Sequence, residues 1–232
     1  MEKKTIGIIG GMGPLSTADL FEKIILHTKA SCDQDHLRVL IDNNTNIPDR
    51  TAAILYGGAD PVPELTASAR GLERQGAELL LIPCNTAHYF YDAVQASVSV
   101  PVLHMIRLTA RALRERGVET AGLLATDGTV QAGIYQRCFE GAGIRLLTPD
   151  EAGQRAIMDL AYQGVKAGRW DYDTTSARAA MEALLRQGAE TLILGCTELP
   201  PAMKLYGIDL PVTDPTLELA LAAIKQAGAE IV

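Results

Sequence analysis

Residues 79–88, LLLIPCNTAH, and residues 191–200, TLILGCTELP, share one design at an offset of 112, and no other feature limits the fold as strongly. In each, a short apolar run reads as a buried parallel strand, ends in a turn residue and a cysteine, and is followed by residues able to start a helix. Two more pairs keep the same order. Residues 5–13, TIGIIGGMG, match 120–128, TAGLLATDG, at an offset of 115, and residues 100–104, VPVLH, match 210–214, LPVTD, at 110. Offsets this large that shrink this slowly describe a duplicated α/β lobe with trimmed loops. The expected architecture is two similar Rossmann-like α/β lobes related by a pseudo-twofold axis, each with a mainly parallel four-stranded sheet. The lobes are residues 1–104 with 215–232, and residues 105–214, and a ligand belongs in the cleft between them.

The duplication puts Cys84 and Cys196 at equivalent strand ends. In an open α/β sheet the carboxyl edge is where ligands bind, and a thiol beside a helix N-terminus ionises more easily. Either cysteine alone is as well explained as a small buried apolar residue. Two in register, on opposite sides of a bound molecule, are what a stereoinversion requires. Cys138 falls inside an expected helix and Cys32 in a polar loop; neither has a repeated partner, so both read as bystanders.

Composition narrows the classes of function. The 232 residues are 47% apolar, enough for a sizeable core. With 28 acidic against 21 basic side chains and no Lys/Arg cluster, nucleic acid is a poor partner. The apolar run in MEKKTIGIIGGMG is too short for a signal sequence or a membrane span, which predicts a cytoplasmic protein with no membrane partner. Four cysteines without a CxxC fit neither a disulfide framework nor a structural zinc site. Cys84 and His88 lie four apart, but two ligands do not make a metal site, and His27, His36 and His104 add no ligand spacing.

Residues 5–9 read as a strand closed by GGMGP, with Pro14 in the first turn of a helix reaching about His27. The glycines invite a dinucleotide reading, but Ser16 holds the third glycine position and no acid ends a second strand about 20 residues on, so that reading is rejected. They suit instead a close approach of backbone to an anion such as a small carboxylate. Residues 37–41 read as a second strand, followed by the polar loop DNNTNIPDRT. Arg50 in that loop is either solvated or a fork for a substrate carboxylate. A helix over about residues 64–75 leads to the strand before Cys84, and residues 100–102 mark a short fourth strand. In the second half, residues 128–140 and 150–166 read as helices. Thr126 sits at a strand end matched to Gly11, its hydroxyl able to hold a carboxylate, and Lys166 follows a helix. The apolar helix at residues 217–224 faces either a core or a partner.

With these residues in view, the chain resembles the cofactor-independent aspartate/glutamate racemase family, and its aspartate racemase branch in particular. The motifs span the chain: IGGMGP at 9–14, IPDR at 47–50, PCNTAH at 83–88, ATDGT at 125–129, GVKAG at 164–168 and GCTELP at 195–200. The resemblance implies Cys84 and Cys196 as paired acid/base thiols, and Asn85, Thr86 and Thr197 on the α-carboxylate with Thr126 lining that site. It places Arg50 and Lys166 near the distal carboxylate, and Met12 and Glu198 in the substrate site. Glu198 stands where glutamate racemases carry histidine after GCT, and residues 10–12 stand where they carry Asp-Ser, which disfavours the glutamate branch. An amino-acid substrate, aspartate first, no cofactor and a homodimer are implied as well.

On that resemblance one cysteine, as thiolate, takes the α-proton, and the other, as thiol, delivers a proton to the opposite face. A thiol of pKa about 8.5 is too weak a base to drive this unaided, so amides in a closed cleft must stabilise the developing enediolate. The alternatives are a broad-specificity or glutamate racemase of the same family, a two-lobed amino-acid-binding sensor that needs no paired thiols, and a redox dithiol protein that needs its thiols within disulfide reach.

Overall fold

The computed structural model describes residues 3–232, so Met1 and Glu2 of the N-terminal stretch lie outside the described residues. The chain forms two compact units, Met1–Leu108 with Thr216–Val232, and Thr109–Pro215. In chain order the elements are β1 (Ile6–Gly10), α1 (Pro14–His27), β2 (Val39–Asn43), α2 (Arg50–Leu55), α3 (Val62–Arg74), β3 (Leu79–Leu81), α4 (Tyr91–Ala96) and α5 (Met105–Glu115). There follow β4 (Thr120–Ala125), α6 (Asp127–Gln131), α7 (Ile134–Glu140), β5 (Arg145–Leu147), α8 (Glu151–Asp159) and α9 (Thr175–Arg186). The chain closes with β6 (Thr191–Gly195), α10 (Leu199–Leu205), β7 (Val212–Thr213) and α11 (Pro215–Gln226).

The fold is α/β with parallel sheets, ordered β2-β1-β3 in the first unit and β5-β4-β6-β7 in the second. Laying the sequence repeat over these orders matches β1 with β4, β2 with β5 and β3 with β6, so the duplication is one of topology. The fourth strand differs from the expected symmetry. In the second unit β7 pairs with β6, whereas in the first Val102 makes an isolated parallel bridge to Leu80. Both edge segments follow a proline that offers a carbonyl and no N–H: Leu80 N–H donates to Pro101 and Leu192 N–H to Pro211, each at 2.9 Å. The pairing stays short in both units, and one rung shorter in the first.

Period-two alternation sorts the first sheet onto two cores. Ile6, Ile8, Leu79 and Leu81 pack with Leu20 and Ile24 of α1, while Leu80 and Ile82 pack with Leu65, Ala69 and Leu72 of α3. Leu219, Ala220, Ala223 and Ile224 of α11 join the first of these cores, so the apolar helix at the end of the chain faces a core. In the second unit Leu124, Leu192 and Leu194 pack against Ile157 of α8, Met181 and Leu184 of α9, and Ala202 of α10. The repeat extends to close contacts: a Cβ on Gly7 would lie 2.6 Å from Leu80 Cδ2, and one on Gly122 would lie 2.7 Å from Leu192 Cδ2. The same leucine of each repeat thus presses on the same glycine.

Two expected helices take other forms. The one over 128–140 is split into α6 and α7 by Gly133, whose φ of +63° is a left-handed value that glycine adopts without a Cβ clash. The one over 150–166 starts as expected, with Asp150 Oδ1 accepting from Gly153 N–H at 2.8 Å, but α8 ends at Asp159 and continues as a π-helix, Leu160–Lys166. The wider π turn re-aims the residues that follow it. Among the described residues no helix is long and apolar enough to cross a membrane.

Candidate active site

In each sheet the chain leaves its first strand to one flank and returns on the other: β1 lies between β2 and β3, and β4 between β5 and β6. The loops after β1 and β3, and after β4 and β6, flank these switch points at the carboxyl edge, where open α/β sheets bind ligands. Met12, Cys84 and Asn85 fall in the first pair of loops, with Thr86 opening the short 3-10 helix Thr86–Phe90 that follows, and Thr126, Cys196, Thr197 and Glu198 fall in the second.

In the first unit, a Cβ on Gly11 (φ +89°) would lie 2.3 Å from the Asn44 carbonyl oxygen, so glycine lets the β1 loop lie directly on the β2 loop. Thr17 of α1 pins this loop. Gly11 N–H donates to Thr17 Oγ1 at 2.9 Å, and the Thr17 hydroxyl donates to the Gly13 carbonyl at 3.0 Å. Met12 is buried in the same apolar cluster as Ile47 and Cys84. Asp49 caps α2 by accepting from Ala52 N–H at 2.7 Å, which sets Arg50 in the first turn. Arg50 Nη1 donates to the carbonyls of Ile47 (3.3 Å) and Pro48 (3.0 Å), and Nη2 to that of Met12 (3.5 Å). Arg50 is part-buried, and its guanidinium braces the IPDR loop against the loop that carries Met12.

Cys84 is 5% exposed, and its N–H turns back to the Ile82 carbonyl at 2.9 Å. The Cys84 carbonyl lies 2.8 Å from His88 Nδ1, and His88 Nε2 accepts from Met105 N–H at 3.0 Å. Because Nε2 accepts, the proton must sit on Nδ1, and His88 is a neutral strut between the Cys84 turn and the start of α5. Burial is the main cause that lowers its pKa to about 4, against a partial offset from the Cys84 carbonyl. The sign follows directly. The unfolded chain takes up the proton below about pH 6.5 and the folded one resists it, so stability present above pH 6.5 drains away as pH falls towards 4. For a buried group displaced this far the loss is on the order of 3 kcal/mol. Urea unfolding at pH 7 and pH 4.5 should show it for the natural chain, with a clearly smaller pH difference for His88→Leu; equal differences in the two proteins would remove His88 as the cause.

In the second unit Thr126 caps α6, its Oγ1 accepting from Thr129 N–H at 3.4 Å and lying 3.1 Å from the Thr129 hydroxyl. Gln154 of α8 fixes the strand end beside it, donating to the Ala125 carbonyl (2.9 Å) and to Asp127 Oδ1 (2.8 Å). Cys196 is also 5% exposed, and its thiol donates to Glu198 Oε2 at 3.0 Å. Glu198 Oε1 in turn pairs with Lys166 Nζ at 3.5 Å, and that ammonium lies 4.4 Å from the centre of the Tyr162 ring. The π-helix therefore delivers the lysine to the carboxylate. Burial first, and the Glu198 charge second, push the Cys196 thiol well above its ordinary range, with Lys166 opposing them. Tyr135 of α7 is fully buried; burial, then the charges of Asp214, Cys138 and Cys196, hold its phenol well above the usual tyrosine range.

The expected residues thus gather in two sets: Met12, Arg50 and Cys84 around the first pair of loops, and Lys166, Cys196 and Glu198 in one hydrogen-bonded chain around the second. Asn85, Thr86 and Thr197 are buried beside their cysteines. Sequence reasoning missed the role of His88. Its signal was the four-residue spacing from Cys84, weighed only as a metal pair. It also missed Tyr135, which no local pattern distinguishes from a core aromatic.

A sequence profile described as Asp/Glu/Hydantoin racemase matches residues 9–223. The broad specificity amino-acid racemase RacX of Bacillus subtilis (strain 168) is 27% identical over 233 aligned positions, covering 95% of this chain and 96% of its own. Among solved structures, an aspartate racemase of Picrophilus torridus is 35% identical, with a TM-score of 0.84 over 99% of this chain and 96% of its own. A glutamate racemase of Francisella tularensis in complex with D-glutamate shares the fold at 19% identity, with a TM-score of 0.66 over 97% of this chain and 81% of its own.

Proposed function

The chain belongs to the Asp/Glu/hydantoin racemase family, and on that premise we propose that it is a cofactor-independent racemase of aspartate whose acid/base pair is Cys84 and Cys196. The observation that carries this reading is the duplicated placement of the two cysteines, each just beyond the carboxyl end of the strand (β3 or β6) that pairs with the first strand of its sheet, and beside the loop at a switch point. The reaction needs one thiolate and one thiol on opposite faces of the same α-carbon. The α-C–H bond breaks, its proton forms an S–H bond, and the electron pair passes into an enediolate. The second thiol then gives its proton to the other face. Asn85, Thr86, Thr126 and Thr197 supply hydroxyls and amides for the α-carboxylate on this reading, and the developing charge there is where several kcal/mol of stabilisation would act.

Aspartate is preferred on two grounds. The Picrophilus protein, at 35% identity over nearly the full length, is an aspartate racemase, and Arg50 and Lys166 supply the cations that a distal carboxylate calls for. A broad-specificity activity is the second reading, favoured by the full-length similarity to RacX. Incubating pure protein with single enantiomers of the common amino acids, without added cofactor, and resolving the products by chiral chromatography tests both. Aspartate should racemise fastest, and a protein that favours alanine or methionine would overturn the aspartate assignment. Light scattering on the same preparation tests the homodimer.

A further inference from the structure

The two cysteines are equally buried but differently partnered. Each is 5% exposed. In the repeat, the position of Glu198 is held in the first unit by Thr86, and the groups after Cys84 are Asn85, Thr86, Ala87 and the neutral His88. Cys196 instead donates to a carboxylate 3.0 Å away, itself buried, with an ammonium 3.5 Å from its other oxygen. Cys196 also belongs to an apolar cluster with Leu124, Leu160, Val165, Leu199 and Met203.

We propose that Glu198 holds the exchangeable proton on the Cys196 sulfur of the resting protein, so that Cys196 enters the reaction as the acid and Cys84 as the base. The inference rests on the racemase reading above and gives Glu198 a role at the reacting sulfur. A carboxylate that already accepts the S–H proton stabilises the thiol, and a thiolate in its place would face a negative charge at contact distance in a dry site. In the forward step the α-C–H bond breaks, its proton passes to the Cys84 thiolate, and the electron pair enters the enediolate. The Cys196 S–H bond then breaks and its proton closes the opposite face. The Cys196 thiolate left beside Glu198 is the unfavourable member, and once product has left Cys84 releases the proton it gained to solvent while Cys196 takes one up, which restores the resting pair. The charged and titratable groups that bear on Cys196 are Glu198 from the turn after β6, Lys166 from the π-helix and Tyr135 from α7, with Asp214 and Cys138 acting on Tyr135. Of these only Glu198 touches the sulfur with a charge that opposes ionisation. Lys166 acts in the opposite sense, so the two residues make predictions of opposite sign.

The test is alkylation of the full-length protein by iodoacetamide at pH 7 without substrate, with the labelled cysteine located by mass spectrometry. Cys84 should label before Cys196, a difference that their equal exposure does not explain. Glu198→Gln should speed Cys196 labelling at least about tenfold, the gain in thiolate exceeding its loss of nucleophilicity. Lys166→Met should slow it, and Glu198→Asp, which keeps the charge, should leave it slow. In turnover, Glu198→Gln should move the alkaline limb of kcat/KM to lower pH, because the retained proton is lost sooner. Unchanged or slower Cys196 labelling in a natively folded Glu198→Gln protein would overturn the proposal. A protein that labels as expected but racemises none of the amino-acid panel would overturn the racemase reading while leaving the Glu198 assignment in place.

Discussion

Cys84→Ala and Cys196→Ala should each lower racemisation by at least about 10³-fold, within the range that general acid–base catalysis supplies, while leaving the circular dichroism spectrum native. Both side chains are buried in apolar clusters, so alanine removes one sulfur and leaves a small void, a loss typical of single core changes at about 1 kcal/mol. The catalytic loss is far larger because a thiol at one face of the α-carbon does not substitute for one at the other. The two variants should nevertheless differ from a dead protein. On the two-base reading the surviving cysteine, when ionised, faces the α-hydrogen of one enantiomer only, so in deuterated water each variant should exchange that enantiomer's α-hydrogen without inverting it. Exchange should be slower in Cys84→Ala, where Glu198 keeps the surviving Cys196 protonated. The enantiomer that exchanges should switch between the two variants. Inversion by either variant at a rate near that of the natural protein would end the two-base mechanism.

The second large effect concerns what reads the substrate side chain. Arg50→Leu should lower kcat/KM for aspartate by roughly 10- to 100-fold, the worth of one or two charge-assisted hydrogen bonds, with a much smaller change for alanine. The structure complicates this in a useful way, because Arg50 also donates to the carbonyls of Ile47, Pro48 and Met12. Leucine removes both the charge and the brace. If the brace is all that Arg50 provides, aspartate and alanine should fall together and the melting temperature should fall with them. If the guanidinium also meets the distal carboxylate, aspartate falls alone, and Arg50→Lys, which keeps the charge but loses the planar fork, should recover part of the aspartate rate. Steady-state kinetics on both substrates, with thermal melts of the three proteins, separates the two cases. Glutamate should be the poorer dicarboxylate by about 1–3 kcal/mol, the usual discrimination for one methylene.

What the sequence by itself determined is what duplication and local period make visible. Strands β1, β3 and β6 were legible as short apolar runs closed by glycine or proline, and β4 as the repeat of β1, because a strand buried on both faces must be apolar throughout. The repeat then paired those runs, and with them Cys84 and Cys196, before any contact was known. Partners across the chain were not legible. A buried polar group takes the partner that packing brings to it, and packing joins residues far apart in sequence. His88 finds Met105, Arg50 finds Met12 across 38 positions, and Lys166 finds Glu198 after a π-helix that helical periodicity does not foretell. Gly133 breaks a continuous helical pattern because its left-handed turn costs glycine little, a choice of backbone that composition leaves open. The equivalent placement of the two cysteines was therefore written in the sequence. Their inequivalence, one hydrogen-bonded to a carboxylate and the other followed by uncharged neighbours, was decided by the tertiary structure, because a carboxylate two residues from a cysteine meets its sulfur only when the turn after the strand folds it back and a lysine from another element holds it there.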